Sequence, residues 1–404
     1  MRDKAGDSAR LQGRIPPRLD PTVRALGVVT LLNDLSSEVT IRTLPLFLAN
    51  VLGVRPGIIG LIEGIAESAA TLFKFVSGYL ADRIGRKKAL TLWGYGLSGL
   101  TKPLLYFASG WGLVLTVRVL DRVGKGIRTA PRDMLIAEAT PPDDRGRAFG
   151  FNKAMDKAGA VIGLLLAAVF LAASGRGDVT LTREGYQWLV LLAVVPGLAS
   201  VGVLAGWVHE RGPSTAATAC VRWTADVGPR FWAFIGALLL FTLGNSSDAF
   251  LLLRAQTVGC SPVEIFLLLA AFSLVISLSS VWAGSLSDAL GRRRLILAGW
   301  LIYATIYLGL AFASARWHIW ALYAGYGLYY GAFQGAASAL VADLVPQAQR
   351  GTAYGIFNAA LGVATFPASV FAGVLWDCYG PPAPFLAGAG MALLACVALL
   401  PVRE

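Results

Sequence analysis

Apolar runs long enough to cross a lipid bilayer recur along almost the whole chain, and they constrain its fold more than any other feature. A helix needs about 20 apolar residues to cross roughly 30 Å of hydrocarbon, where it satisfies every backbone hydrogen bond internally. Only 15% of the 404 residues are charged and the mean hydropathy is +0.62, whereas a soluble domain is about 25% charged. The sequence therefore predicts an all-α membrane protein.

The apolar runs predict twelve transmembrane helices, which we call spans 1 to 12. In chain order they cover residues 22–52, 57–82, 88–108, 111–139, 146–173, 186–209, 229–257, 261–287, 293–314, 317–344, 351–376 and 381–402. The polar and basic residues 1–21 lack the apolar core of a signal peptide, so we interpret them as a tail.

The positive charges of the loops indicate the orientation. The tail and the stretches "DRIGRKK", "DDRGR" and "GRRR" fall on one side, whereas the opposite loops carry only Arg55, Arg176, Arg183 and Arg316. Lys and Arg accumulate on the cytoplasmic side, so we expect both termini in the cytoplasm and the chain in the inner membrane. The net charge of +11 then reflects topology, and we expect no nucleic-acid partner because exposed aromatics do not alternate with the basic residues.

The chain repeats itself at about half its length. "RGRAFGFNKA" at Arg145 matches "RGTAYGIFNA" at Arg350, and "GYLADRIGRKKAL" at Gly78 matches "GSLSDALGRRRLI" at Gly284. Repeats in the same orientation predict two six-helix bundles, residues 22–209 and 229–404, joined by a cytoplasmic connector at 210–228. A pseudo-twofold axis along the membrane normal would leave a substrate path between the bundles.

The loop after span 2 carries a family resemblance. The residues Gly78, Asp82, Arg83, Gly85, Arg86 and Lys87 resemble the signature loop of the major facilitator superfamily, with an echo at Gly284, Asp288, Gly291, Arg292 and Arg293. The stretch "DRVGKGIRTAPRD" in span 4 also resembles a bacterial subgroup of that superfamily whose members mostly lack an assigned substrate. The resemblance implies secondary transport by alternating access.

The physical properties of this loop favour a gate on the cytoplasmic side. Gly78 and Gly284 allow a neighbouring helix to approach closely, and Gly85 permits a tight turn. Asp82 can accept hydrogen bonds from the loop arginines or face the helix that begins near Arg350. The predicted gate residues are Gly78, Asp82, Gly85, Arg86, Gly284, Asp288, Gly291 and Arg292.

Ionisable side chains are concentrated in the spans of the first half. Each would cost about 2.5–3.5 kcal/mol at the bilayer centre on insertion scales, so we expect them to face a watery interior and to pair with one another. We expect Arg128 and Arg132, near the end of span 4, to reach the cytoplasmic headgroups. The residues are Asp34, Glu38 and Arg42 in span 1, Glu63, Glu67 and Lys74 in span 2, Arg118, Asp121, Arg122, Lys125, Arg128 and Arg132 in span 4, and Lys153, Asp156 and Lys157 in span 5.

These residues supply the predicted site. Proton coupling is assigned to Glu38 first, with Asp34, Glu63, Glu67, Asp121 and Arg122. The segment from Arg122 to Gly126 loosely resembles the Arg-x-x-Gln-Gly motif of drug/proton antiporters, with Lys125 in place of Gln. Substrate binding is assigned to Arg42, Lys125, Lys153, Asp156, Lys157, Asn245, Asp248, Tyr326, Tyr330, Gln334 and Asn358, although the tyrosines equally fit core packing or an interfacial belt.

The sequence predicts a transporter and no enzyme. It contains no ATP-binding P-loop, no nucleophile–base grouping, no clustered metal ligands and no cofactor fingerprint. We expect a monomer that exports a small amphipathic or anionic compound by coupling to protons. Proton-coupled uptake of an organic anion is the alternative, and so is a non-transporting receptor or scaffold, in which the cavity charges could be neutralised without consequence.

Overall fold

A computed structural model describes residues 19–84, 86–141, 144–175, 180–210, 228–346 and 349–401. Each predicted span corresponds to helix in it, which confirms the all-α fold class. The helices are Pro21–Ile41 with Leu44–Asn50 (span 1), Pro56–Ile84 (2), Lys87–Thr101 with the 3-10 helix Lys102–Phe107 (3), Trp111–Glu138 (4), Arg145–Ala173 (5), Arg183–Trp207 (6), Gly228–Gly244 with Asp248–Thr257 (7), Pro262–Leu290 (8), Arg292–Phe312 (9), Arg316–Leu344 (10), Arg350–Tyr379 (11) and Ala383–Leu399 (12).

Apolar length alone does not identify every span. Among the described residues, seven helical segments are long and apolar enough to cross a membrane by length and composition, and they belong to spans 2, 5, 6, 7, 8, 9 and 11. Span 4 falls outside this group because ionisable side chains interrupt its apolar surface. Span 4 can nevertheless stand in the membrane because its charged face is buried against other helices of the protein, as described below.

Local capping chemistry sets the beginnings of several helices. In span 1, Pro21 takes the first helical position and the Asp20 carboxylate accepts a hydrogen bond from the Thr22 N–H at 2.7 Å. In span 8, the side chains of Ser261 and Glu264 cap each other's backbone N–H groups. Such caps accept hydrogen bonds from backbone N–H groups of the first turn, which have no partner within the helix. These helices therefore begin where the sequence places Pro beside Asp or Ser.

The two halves pack their helices in the same pattern. In the first half, span 1 packs on spans 5 and 6, span 4 packs on spans 2 and 3, and span 3 packs on span 6. In the second half, span 7 packs on spans 11 and 12, span 10 packs on spans 8 and 9, and span 9 packs on span 12. The same neighbours therefore recur six helices later, as expected for two pseudo-symmetric six-helix bundles.

The bundles meet through spans 2 and 11 and through spans 5 and 8. We call the side of the molecule that carries residues 51–55 and 380–382 the distal side, and the side of residue 21 the proximal side. Near the distal side, spans 2 and 11 approach at backbone distance, because a Cβ added to Gly373 would lie 2.7 Å from the Gly57 Cα. Small residues permit this approach, which holds the halves together there.

Two hydrogen-bonded pairs also join the halves toward the distal side. The guanidinium of Arg42 donates to Asp248 at 2.8 Å, and the amide of Gln256 donates to Asn50 at 2.8 Å. Both pairs are separated by 206 residues, the approximate length of the repeat. Residues at equivalent positions of the two bundles therefore face each other close to the pseudo-twofold axis.

The glycine contact predicts a conformational effect of adding a side chain. In Gly373→Val the new Cβ meets backbone atoms of span 2 that cannot rotate away, so we expect the distal ends of spans 2 and 11 to separate. Spin labels at Arg55→Cys and Tyr379→Cys, in a background without the native cysteines, should report longer distances by electron–electron resonance. The control is Gly390→Val, where an added Cβ has no neighbour within 4 Å among the described residues. Unchanged distances in Gly373→Val would contradict this role of the contact.

Candidate functional site

A cavity of about 360 Å³ lies between the two bundles. Most of its wall is polar, although it is deep inside a helical membrane protein. Residues from the first half are Asp34, Ser37, Glu38, Ile41, Arg42, Pro45, Glu63, Glu67, Arg118, Asp121, Arg122, Lys125 and Arg128, and residues from the second half are Thr242, Asn245, Ser246, Ser247, Asp248, Ala249, Leu252, Tyr326, Tyr330 and Thr365.

The charge of the cavity wall is distributed unevenly. Among the described residues, every charged side chain that lines it, apart from Asp248, comes from spans 1, 2 and 4 of the first half. The second half presents hydroxyls, one amide and the rings of Tyr326 and Tyr330. A compound in this cavity would meet charge on one wall and neutral polar and aromatic groups on the other.

Arg118 organises the ion pairs between spans 4 and 2. Its guanidinium donates to both carboxylate oxygens of Glu63, at 3.0 and 2.6 Å, and to Glu67 at 3.3 Å. Arg122 extends the network, with its Nε 3.2 Å from the same Glu67 oxygen. Planar bidentate contacts of this kind are strong and directional, so they fix how the two helices face each other.

A second cluster of charged side chains, centred on Lys102, lies behind the cavity and was not predicted from the sequence. The Lys102 side chain is only 2% exposed, and its ammonium donates to Ser37 at 2.7 Å and lies 3.9 Å from Asp121. The Ser98 hydroxyl also donates to Asp121. A signal was present, because Lys102 is a lone cation inside the apolar run predicted as span 3, and by the insertion argument it needs a buried partner.

The expected position of Arg128 is wrong. Its side chain was expected among the headgroups, but it is 5% exposed, lines the cavity and lies over the ring of Tyr95, with 4.5 Å between Cζ and the ring centroid. The reason is close packing of spans 3 and 4, where the backbone of Gly94 lies against that of Gly124 and Arg128. Arg132, one turn later, pairs with Asp133 at 2.8 Å.

Span 1 and span 7 are both interrupted beside the cavity. Span 1 breaks at residues 42–43 and span 7 at residues 245–247. At the first break, Arg42 lies 3.0 Å from the Glu38 carboxylate and 2.8 Å from that of Asp248. We call this Glu38–Arg42–Asp248 group the distal bridge, since it joins the halves at the distal end of the cavity.

Other predicted site residues lie away from this cavity. Lys153, Asp156 and Lys157 do not line it, and Lys153 is 70% exposed while it pairs with Asp156 at 3.4 Å. Asn358 is exposed and donates to the Tyr354 carbonyl at 2.8 Å. The side chain of Gln334 lies outside what the structure describes.

The predicted gate is described only in part. Gly85 lies outside the described residues, and so do the side chains of Asp82 and Asp288 and the surroundings of Gly78 and Gly284. Of the rest, Arg86 is exposed, and Gly291 precedes span 9 with φ of 82°, a conformation that favours glycine. Similar ion pairs stand next to the two loops, Lys87 with Glu138 and Arg292 with Asp343, although the repeat aligns Lys87 with Arg293.

The burial of the Arg118–Glu63 pair predicts a specific pattern of stability. Arg118→Leu leaves the Glu63 carboxylate buried without its main partner, which should destabilise the protein by about 3–5 kcal/mol. Arg118→Leu combined with Glu63→Leu should lose much less, because removing both charges also removes the desolvation penalty. Unfolding of both variants in the same detergent checks this, and a double variant no more stable than the single one would contradict it.

Comparison with known proteins agrees with the architecture. The family model of the Major Facilitator Superfamily matches residues 26–256 and again residues 231–404. An MFS-type transporter of Methanocaldococcus jannaschii is 31% identical over 391 residues, which cover 95% of each chain. The crystal structure of the nucleoside transporter NupG superposes with a TM-score of 0.76 at 13% identity, covering 94% of this chain and 98% of that one.

Two further relatives have names that describe a function. The multi-drug resistance efflux pump PmrA homolog of Lactococcus lactis is 26% identical over 340 residues, 80% of this chain and 81% of that one. The fosmidomycin resistance protein of Escherichia coli is 25% identical over 305 residues, 72% of this chain and 71% of that one. With its twelve spans in two repeated bundles and a cavity between them, the chain belongs to the major facilitator superfamily, and it is a multi-pass membrane transporter.

Proposed function

We propose that this transporter exports a small anionic or amphipathic compound in exchange for protons, as a monomer in the cytoplasmic membrane with both termini in the cytoplasm. The observation that carries the proposal is the state of one cation, Lys125. It lines the cavity and is exposed to it, and no carboxylate of the described residues lies within 4.0 Å of its ammonium.

The other cations of span 4 are already engaged. Arg118 and Arg122 are paired with carboxylates, Arg128 lies over Tyr95, and Arg132 is paired with Asp133. A cation without a partner inside a membrane protein is costly, and the negative group of a ligand would compensate it. We therefore assign Lys125 to the anionic part of the substrate.

The opposite wall fits the remainder of such a compound. Asn245, Ser246 and Ser247 form the break in span 7, and together with Tyr330 they offer hydrogen-bonding groups and an aromatic surface. Interrupted helices often form the binding sites of transporters, because their free backbone and side-chain groups face the cavity. This combination favours an organic anion over an inorganic one.

The contacts between the halves support alternating access. The glycine contact of spans 2 and 11, the distal bridge and the Asn50–Gln256 pair all join the bundles toward the distal side. If the termini are cytoplasmic, this arrangement closes the outer side, and a compound would enter the cavity from the cytoplasm. The efflux and resistance names of two relatives agree with that direction.

Protons are the proposed energy source because carboxylates and cations share the cavity. The proton affinity of a carboxylate changes when a neighbouring cation moves or when water reaches it, and both happen as a cavity opens to alternate sides. Asp34, Glu38, Glu63, Glu67 and Asp121 are the candidates on this wall, and Glu38 remains a prediction from the sequence.

A flux measurement tests the assignment of Lys125. In proteoliposomes with an imposed pH gradient, a panel of small organic anions that includes fosmidomycin serves as tracers. We expect Lys125→Gln to reduce the flux of the transported anion at least about tenfold, since it removes the partner of a negative charge, worth roughly 1.4 kcal/mol or more.

The matched control is Lys74→Gln, which makes the same change of charge on an exposed side chain of span 2 that does not line the cavity. It should retain its flux. Equal losses in the two variants would contradict a specific role for Lys125, and uptake against the proposed direction would favour import of an organic anion.

A further inference from the structure

Spans 1 and 5 run parallel to each other in a fixed register. The Thr30 hydroxyl of span 1 donates to the amide oxygen of Asn152 in span 5 at 2.9 Å, and both side chains are buried. Farther along, Gly159 and Gly163 of span 5 contact the backbone of span 1 at Leu31 and Leu35. The two helices therefore cannot shift relative to each other without opening this contact.

The same register brings two carboxyl groups together. Asp34 and Asp156 each stand four residues, about one helical turn, after Thr30 and Asn152. The Thr30–Asn152 contact therefore places the two carboxyl groups beside each other, one turn farther along both helices. Neighbouring carboxylates repel and neither has a donor, so a hydrogen bond between them requires a proton on one of them.

The surroundings identify which carboxyl group carries this proton. The Oδ2 atom of Asp34 is buried and receives no hydrogen bond from the donors that the structure describes, while Oδ1 receives only a 3.3 Å contact from Asn33. The ammonium of Lys153 lies 3.4 Å from Asp156, whereas within the described part of the chain no cationic nitrogen lies within 4.0 Å of Asp34. A protonated Asp34 that donates to an ionised Asp156 satisfies both groups.

We infer that Asp34 and Asp156 form a carboxyl pair that holds one exchangeable proton between spans 1 and 5. The inference rests on the proposed proton coupling, and it names the two side chains that hold the coupled proton. Asp34 lines the cavity and Asp156 stands behind it on span 5, so the pair connects the cavity wall with the helix that packs on span 8 of the other half. A movement between the halves can thereby change the environment of the proton.

The cations near the pair come from three helices. Lys125 and Arg128 of span 4 line the same cavity as Asp34, and Lys102 of span 3 donates to Ser37, three residues after Asp34. On span 5, Lys153 lies 3.4 Å from Asp156, and Lys157 follows Asp156 directly. Span 6 also packs on span 1, but its charged residues, Arg183 and Glu184, lie in its first turn. Span 8 packs on span 5 and carries Glu264 and Asp288 near its two ends. The nearby cations favour one negative charge on the pair, which leaves a single proton for the two carboxyl groups.

Glu38, the first candidate from the sequence, is in a different state. Its carboxylate is 3.0 Å from the guanidinium of Arg42, within the distal bridge. The Glu38 carboxylate therefore already has a cationic hydrogen-bond donor, whereas no cationic nitrogen of the described residues lies within 4.0 Å of Asp34. The proton is accordingly assigned to the Asp34–Asp156 pair and not to Glu38.

Infrared titration of the transporter in lipid vesicles tests the inference without a substrate. A protonated carboxyl group has its own C=O stretching band, and carbon-13 labelling of aspartate shifts that band only if it belongs to an aspartic acid. In the wild type we expect about one aspartic acid per chain to lose its proton as the pH rises. Asp34→Asn should abolish that signal, while its amide can still donate to Asp156 and preserve the contact.

Two more variants complete the design. Asp156→Asn replaces the negative neighbour of Asp34 by a neutral one, so Asp34 should lose its proton at least about tenfold more readily, one pH unit lower. Glu38→Gln should leave the aspartate band unchanged. The pair is overturned if the band persists in Asp34→Asn, if the wild type has no titrating aspartate band, or if the titration in Asp156→Asn stays where it is in the wild type.

Tracer flux in the same vesicles separates this inference from the proposed function. If the aspartate band behaves as expected but the flux does not depend on the pH gradient, the carboxyl pair is supported and proton coupling is contradicted. If the flux depends on the pH gradient but the aspartate band is absent, proton coupling is supported and the Asp34–Asp156 carboxyl pair is contradicted.

Discussion

The cost of a charge in the bilayer determines how the first half is built. Span 4 carries five cations on one face, and a helix of this kind cannot be placed against lipid. Three of the five, Arg118, Arg122 and Arg128, instead take a compensating group from another helix. Span 2 supplies Glu63 and Glu67 for Arg118 and Arg122, and span 3 supplies the ring of Tyr95 for Arg128. The positions of spans 2 and 3 around span 4 follow from these partners.

The second half has the same helix arrangement but a different interior. Its spans 7, 9 and 10 pack through aromatic rings, with Phe241 of span 7 stacked on Trp300 of span 9 at 4.9 Å between ring centroids and Tyr303 of span 9 at 5.3 Å from Tyr329 of span 10. The Tyr307 hydroxyl of span 9 is hydrogen-bonded to Ser246 in the break of span 7 at 3.1 Å. The cavity between the halves is therefore lined by many charges on one side and by Asp248 as the one described charge on the other, although the fold repeats itself.

The sequence was sufficient for those features that depend on a pattern along the chain. Recurring apolar runs predicted where the helices lie, including those too polar to qualify as membrane spans by composition alone, and similar stretches at Gly78 and Gly284 predicted the repeat. Helical spacing also placed the span 4 cations on one face, but it could not say which helix that face meets. For that reason Arg128 was expected at the surface, Lys102 was overlooked, and Asp156 was expected in the cavity instead of behind Asp34. Contacts between helices depend on packing, here on the glycines of spans 3, 4 and 5, and no periodicity in a single helix records them.

The ion pairs of the cavity differ in how much free energy their separation costs, and the difference depends on whether a pair lies within one half or joins the two. The Arg118 and Glu63 side chains are 4% and 7% exposed, so separating them leaves buried charges without partners at a cost of several kcal/mol. Arg42 and Asp248 are 31% and 39% exposed, so water can replace the partner when they separate, and such pairs contribute only about 0–1 kcal/mol. The costly pair lies within one half, whereas the weak pair joins the two halves near the axis. Residues close to a twofold axis meet their own equivalents, and like charges there would repel. Arg42 opposite Asp248 avoids that repulsion, as the neutral amides of Asn50 and Gln256 do, and this ion pair between the halves costs less to separate than the Arg118–Glu63 pair inside the first half.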